Sequence, residues 1–225
     1  MSPNAALPPP APDTTRLYIR NMVCPQCLRV VRHELESLGL SVTRVALGTA
    51  DVAGPPPAAA AVQRALQAAG FALVEDPTQQ LVEQIKALVV ELIHYTPAAE
   101  LRHNFSHYLA ERLGRDYAYL SHLFSAHEGL TLEKYVIRQK VERAKELLSY
   151  QETTVAEVAQ TLGYSSAAYL TNQFRQVTGL SPSQFQRLGP GSAGRRSLMM
   201  CGNAENLMGA PPQFSKTGGR GDSTK

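Results

Sequence analysis

The sequence predicts two folded units of different class, an α+β unit followed by an all-α unit. Three observations carry this. Residues 16–76 alternate between strand-like and helix-like spacing of apolar residues. Residues 79–188 keep helical spacing almost throughout, with short breaks at Gly114, Gly129, Gly163 and Gly179. Two stretches of the second unit also repeat one another at a fixed offset of fifty residues. Flanking these units, residues 1–15 hold five prolines and residues 189–225 hold half of the 16 glycines, so both read as disordered segments. The division expected is therefore a leader 1–15, an α+β domain 16–76, a linker helix 77–96, a helical domain 97–188 and a tail 189–225.

In the first unit, RLYIRNMVC (16–24) alternates through Leu17 and Ile19 as a half-buried strand does. From Cys27 the period becomes helical, placing Leu28, Val31, Leu35 and Leu38 on one face, and Gly39 supplies the stop. SVTRVALG (41–48) alternates again, and TADVA (49–53) makes a short return strand. After the prolines at 55–57, AAAAVQRALQAAG forms a second helix, and FALVED (71–76) a last strand. The order β-α-β-β-α-β in about sixty residues is the ferredoxin-like plan.

Cys24 and Cys27 fall where the first strand hands over to the first helix. A helix N-terminus lowers thiol pKa values, and two soft thiolates suit Cu(I) or another thiophilic ion; a closed zinc site needs two more ligands. Cys-Pro-x-Cys also suits a redox pair, although the element order is not that of thioredoxin. NMVCPQC on this plan resembles the Met-x-Cys-x-x-Cys loop of heavy-metal-associated domains in copper chaperones and metal-pumping ATPases. That resemblance implies Cys24 and Cys27 as metal ligands and Met22 as a buried loop support. Asn21 stands where that family usually has glycine.

In the second unit, YAYLSHLFSAHEGLTLEKY (117–135) aligns without a gap on AAYLTNQFRQVTGLSPSQF (167–185), and AERLG (110–114) echoes AQTLG (159–163). Each copy is a helix, a glycine-containing turn and a second helix: a helix-turn-helix. Between them TLEKYVIRQKVERAKELL (131–148) has no glycine or proline. Its Tyr135, Val136, Val141, Ala144, Leu147 and Leu148 can pack on both copies while Arg138, Lys140, Arg143 and Lys145 point outward. A connector of about 27 Å, at 1.5 Å per residue, can hold two recognition helices about one DNA turn apart.

Residues 105–188 closely resemble the C-terminal DNA-binding domain of the AraC/XylS family, on LAERLG, YLSHLF, RQKVERAKELL, VAEVAQTLGYSS, YLTNQF and GLSPSQF. The resemblance implies sequence-specific binding to promoter DNA and control of transcription. Leu120, Leu123, Phe124, Leu170 and Phe174 then belong to the core. The DNA-facing positions implied are Ala118, Ser121, His122 and Ser125 in the first recognition helix, and Ala168, Thr171, Asn172 and Arg175 in the second. Only Arg175 among the eight carries a permanent charge, so phosphate contacts by Arg115, Arg138, Lys140, Arg143 and Arg187 are expected to supply much of the affinity.

Bulk charge adds nothing to that expectation. Basic and acidic residues balance over 1–76 and over 77–190, and the net charge of +3 lies in the tail. His103 and His107 have a metal-chelating i, i+4 spacing, but no third ligand accompanies them and they read as ordinary solvated side chains. QLVEQIKALVVELIHY (80–95) carries Leu81, Ile85, Leu88, Leu92 and Tyr95 as a short seam widened by Val82 and Val89, which must bury against the sheet, the helical unit or a second copy in a homodimer.

The expected protein is thus a one-component, bacterial-type, cytoplasmic transcription regulator acting with RNA polymerase, its metal-sensing or effector domain preceding the reader. The alternative is a metal carrier or redox-responsive module in which DNA binding is secondary. No enzyme is expected: a DNA-repair methyltransferase with this reader needs a four-cysteine zinc site, and the chain has three cysteines, with Cys201 in the tail. No membrane span is expected, since no run of about 18 apolar residues occurs.

Overall fold

The computed structural model describes residues 13–55, 57–96, 105–149 and 153–192, with the backbone alone from 189. His103, Cys201 and most of the leader and tail lie outside these residues.

The first unit runs β1 (Thr14–Arg20), α1 (Pro25–Ser37), β2 (Val42–Ala46), β3 (Thr49–Ala53), α2 (Ala59–Ala68) and β4 (Ala72–Leu73). Its four strands form one antiparallel sheet in the order β2-β3-β1-β4. Strand β1 begins at Thr14, two residues inside the expected leader, and ends at Arg20 because Asn21 turns the chain at φ 75°. The return strand TADVA becomes a central strand, and its pairing with β2 shifts register between Val42 and Arg44. There Asp51 is buried and receives two bonds from Arg16, Nε at 2.7 Å and Nη2 at 2.9 Å. Between sheet and helices lies a core of Leu17, Ile19, Val31, Leu35, Val52, Val62 and Leu66. Leu38 is not part of it: α1 ends at Ser37, so Leu38 leaves the helical face and stands 41% exposed, while Cys27 takes the place on that face.

The helical unit comprises α3 (Pro77–Tyr95), α4 (Phe105–Leu113), α5 (Tyr117–Glu128), α6 (Leu132–Ser149), α7 (Val155–Thr161), α8 (Ala167–Thr178) and α9 (Pro182–Ser192). Gly114, Gly129, Gly163 and Gly179 all adopt positive φ, which is why the helical pattern breaks there. One apolar core runs through the unit, from Ile85, Val89 and Ile93 of α3 through Leu120, Phe124, Val141 and Leu148 to Val158, Leu170 and Phe174.

Helix α3 is more than a linker. Asp76 caps it by accepting from the Gln79 N–H at 2.8 Å. It packs on α5 and α6 with one side and on β1 with another, and Val82, Ile85, Leu88, Val89, Val90, Leu92 and Ile93 are all buried. Of the three partners the sequence left open for this seam, the sheet and the helical unit both cover α3, while Tyr95, its last member, is 44% exposed. The polar residues of α3 take up the remaining side, with Glu83 and Lys86 paired and Glu91 facing Arg112.

Candidate nucleic-acid interface and cysteine loop

The two helices expected to face DNA, α5 and α8, each begin at a side-chain cap and end at a left-handed glycine. In α5 the Asp116 carboxylate accepts from the N–H groups of Ala118 and Tyr119 at 2.8 and 3.3 Å, and Gly129 closes the helix. In α8 the Ser166 hydroxyl accepts from the Tyr169 N–H at 3.2 Å, and Gly179 closes it. The i, i+4 pairs Leu120/Phe124 and Leu170/Phe174 are fully buried, which turns the opposite face of each helix to solvent.

On those faces Ala118, His122, Ala168, Asn172 and Arg175 are exposed, whereas Ser121, Ser125 and Thr171 are half-buried. Ser125 Oγ donates to the Ser121 carbonyl and Thr171 Oγ1 to the Ala167 carbonyl, each at 2.8 Å. Both hydroxyl protons are thereby spent on the helix, leaving the oxygens as acceptors. Two exposed side chains that sequence reasoning passed over, Tyr119 and Tyr169, flank the predicted faces at equivalent repeat positions. Their shared offset of fifty residues was the available signal.

The five expected phosphate-contacting cations do not behave alike. Arg115 and Arg187 are exposed, as that role needs. The expectation that the α6 cations point outward is not met, because that helix is packed on several sides. Lys140 lies 5.0 Å over the Tyr164 ring, and burial holds its ammonium below the ordinary lysine range. Arg143 Nη1 donates to Glu146 at 2.8 Å, Lys145 pairs with Glu142 at 2.6 Å, and Arg138 borders a cavity with Glu142.

Two polar contacts fix α5 to its neighbours. The Tyr117 hydroxyl donates to Glu133 at 2.8 Å, holding that carboxyl below its usual range. Lys86 of α3 reaches both Glu83, at 3.0 Å, and Glu128 at the α5 C-terminus, at 3.3 Å. Glu128 sits at the negative end of the helix dipole, and Lys86 offsets that placement. Glu83 is buried, and loss of water raises its pKa despite the lysine.

In the first unit, Cys24 precedes α1 as its extended N-cap, with Pro25 at the first turn. Cys24 Sγ and Cys27 Sγ are 3.3 Å apart. The two thiols differ, however. Cys24 is half-buried, but Cys27 is 1% exposed, and burial pushes its thiol up. The expected lowering by the helix terminus is thus overcome at Cys27 by desolvation. Met22 is buried, as expected. Asn21, in place of glycine, adopts the left-handed conformation that asparagine tolerates better than most residues, and its Nδ2 donates to the Gly70 carbonyl at 3.2 Å.

This loop faces the helical unit. Met22 and Val23 line a cavity of about 70 Å³ with Ala87, Val90, Tyr135 and Gln139. Tyr95 at the end of α3 has its hydroxyl pushed up to about 12, by burial and then by the field of Cys24. Among the described residues no group of three or more His, Cys, Asp or Glu side chains is placed to hold a metal ion. His107 lies 3.7 Å from Glu111 on an exposed face, and His103 is outside the described residues.

Residues 109–188 match a family described as "Helix-turn-helix domain". The probable transcriptional regulator LumQ of Photobacterium leiognathi is 34% identical over 64 residues, 28% of this chain and 26% of LumQ. The Msm operon regulatory protein of Streptococcus mutans is 26% identical over 110 residues, 49% of this chain and 37% of that protein. The arabinose operon regulatory protein of Escherichia coli is 34% identical over 67 residues, 30% of this chain and 23% of its own length. Among solved structures, the C-terminal domain of the response regulator AraT from Geobacillus stearothermophilus covers 50% of this chain and 88% of its own, at 23% identity and a TM-score of 0.43. The chain spans between 23% and 37% of the length of these curated relatives. LumQ is described as a probable transcriptional regulator, and the other two relatives as operon regulatory proteins. Among the described residues no helix is long and apolar enough to cross a membrane.

Proposed function

Taking residues 109–188 as a helix-turn-helix domain of the AraC type, we propose that this protein binds promoter DNA at specific sequences and regulates transcription. The observation that carries the reading is the pair of capped helices α5 and α8, each exposing one face over a buried Leu/Phe pair and joined through the continuous 18-residue α6. Two such helices on one chain suit successive major-groove faces about 34 Å apart. Arg115 and Arg187, both exposed, serve as phosphate contacts that set register without reading sequence. The test is selection of bound duplexes from a randomised pool by the full chain. The expected result is an enriched site of two blocks about one turn apart, and a pool that stays random overturns the reading.

The same proposal gives the first unit an effector role. Its element order and strand order β2-β3-β1-β4 support a ferredoxin-like, heavy-metal-associated-like domain, with Cys24 and Cys27 as ligands. Two thiols in contact, with no third ligand among the described residues, suit Cu(I) or a similar thiophilic ion in low coordination. Such an ion supplies a soft positive charge; the chain supplies Cys24 at the surface, Cys27 from the core, and the Met22–Val23 wall of the cavity against α3 and α6. An effect on DNA binding requires the ion to favour one packing of that wall over another. Operator affinity of the full chain with and without Cu(I) measures it, and equal affinities remove the sensing role. The alternative of a metal carrier or redox-responsive module with incidental DNA binding is not favoured, because the family match falls on the helix-turn-helix residues 109–188.

A further inference from the structure

We infer that base recognition is divided unequally between the two helix-turn-helix units: Asn172 and Arg175 of the second set the sequence preference, and the first grips the duplex with little preference of its own. This rests on the DNA-binding reading above and adds a division of labour to it.

Composition of the two recognition helices is the first ground. The side chains that discriminate bases best are Arg or Lys, bidentate to guanine, and Asn or Gln, bidentate to adenine. Helix α5, YAYLSHLFSAHE, contains none of these four residue types. Helix α8, AAYLTNQFRQVT, contains four, of which Asn172, Arg175 and Gln176 are exposed. Arg175 makes no ion pair among the described residues, so its guanidinium is available to a base edge.

Capping is the second ground. The two N–H groups that open α5 are already bonded to the Asp116 carboxylate, which sets a negative charge at the end of the helix that would otherwise attract phosphate. The equivalent cap of α8 is the neutral Ser166 hydroxyl. Both features weaken the first helix toward DNA and spare the second.

Bracing is the third. Gln173, buried on the inner face of α8, donates through Nε2 to the Tyr169 hydroxyl at 3.1 Å. Tyr169 in turn meets Tyr164 edge-on at 5.8 Å, and Lys140 stacks on the far partner of that pair. The exposed face of α8 is thereby held in one orientation, which a bidentate base contact requires. The aligned position of the first unit, Leu123, offers no such hydrogen bond, and α5 is held instead near its two ends, through Tyr117–Glu133 and Lys86–Glu128.

The experiment uses the full chain. Duplexes selected from a randomised pool define the preferred site, and competition binding then scores every single-base change along it. His122→Ala, Asn172→Ala, Arg175→Ala and Asp116→Ser are compared on that site, with thermal melting as a check that each is folded. The expected site has one strongly specified block and one weakly specified block. Arg175→Ala and Asn172→Ala should each lose roughly 5- to 150-fold in affinity and flatten preference within the strong block. His122→Ala should change affinity by less than about threefold, evenly across sequences. Asp116→Ser should tighten binding to all sequences alike and steepen its salt dependence. Two equally specified blocks, or a base preference erased by His122→Ala and untouched by Arg175→Ala, overturn the division while leaving DNA binding intact. A pool with no enriched sequence overturns both.

Discussion

The two halves of the chain set their chemistry at opposite depths. In the helical half, Asn172 and Arg175 stand at the surface of α8, and the residues beneath them, Leu170 and Phe174, are fully buried and purely apolar. On the proposed reading, function and stability are carried by different side chains on different faces of one helix. In the sheet half the same separation fails. Cys27 belongs at once to the thiol pair and to the core of Val31, Leu35 and Ile19, while Cys24, three residues away, reaches solvent. A substitution that removes function in the first case leaves the fold alone; in the second it touches both.

That contrast can be pressed from its largest effect downward. Phe174→Ala, under the reading face, should cost about 3–5 kcal/mol in urea unfolding, because it empties a fully buried ring site that also meets Phe185 at 5.6 Å. A much smaller loss would mean the helical core collapses around the gap. Cys27→Ser should cost about 1–3 kcal/mol by burying a hydroxyl among apolar groups, whereas Cys24→Ser should stay within about 0.5 kcal/mol. Equal costs would erase the difference in depth between the two thiols. The same asymmetry predicts that iodoacetamide labels Cys24 first, since burial keeps the Cys27 thiol protonated above its ordinary range; mass spectrometry of partly labelled protein reads the order.

Thr154→Ala should cost about 1 kcal/mol. Thr154 and Glu157 form a reciprocal capping box on α7, with the Thr154 N–H donating to Glu157 at 2.7 Å and the Glu157 N–H to Thr154 at 3.2 Å. Arg175→Ala should be the smallest of all in unfolding, within about 0.5 kcal/mol, although it is expected to be among the most damaging to DNA affinity. A large stability loss there would show that Arg175 supports the fold and would merge the two roles that α8 keeps apart.

Much of the helical half was legible because its information is local. Glycines at 114, 129, 163 and 179 mark the ends, and the fifty-residue offset pairs Leu120 with Leu170 and Phe124 with Phe174. The strand and helix order of the first unit was legible for the same reason. What escaped the sequence was whatever depends on two distant segments meeting. The spacing 81, 85, 88, 92, widened by Val82 and Val89, reads as one stripe on α3, yet Val90 and Ile93 are buried as well because β1 and the helical unit cover different sides. Lys140 and Arg143 sit at positions that point outward on an isolated helix, and α6 is not isolated. Nothing in TADVA shows that β3 lies at the centre of the sheet, where Asp51 is buried and Arg16 of β1 neutralises it. Cys27 could not be placed by motif alone, since the depth of the α1 N-terminus depends on how the helix lies on the sheet.

Helix α3 has a consequence for how such a reader can be moved from one protein to another. The family match begins at residue 109, and an excision guided by it would discard everything before Leu109, the first turn of α4 included. Ile85, Val89 and Ile93 would go with it, and the side of α5 and α6 they cover would become an open greasy trough on the graft. Cutting at Asp76 instead keeps the cap and the covering helix together, but bares the other side, where Gly48 comes so near that an added Cβ would meet Ala87 at 3.4 Å. The seam along which evolution or a protein engineer can splice this chain therefore runs beside α3, on its sheet-facing side, and a new partner must bring its own apolar surface to close it.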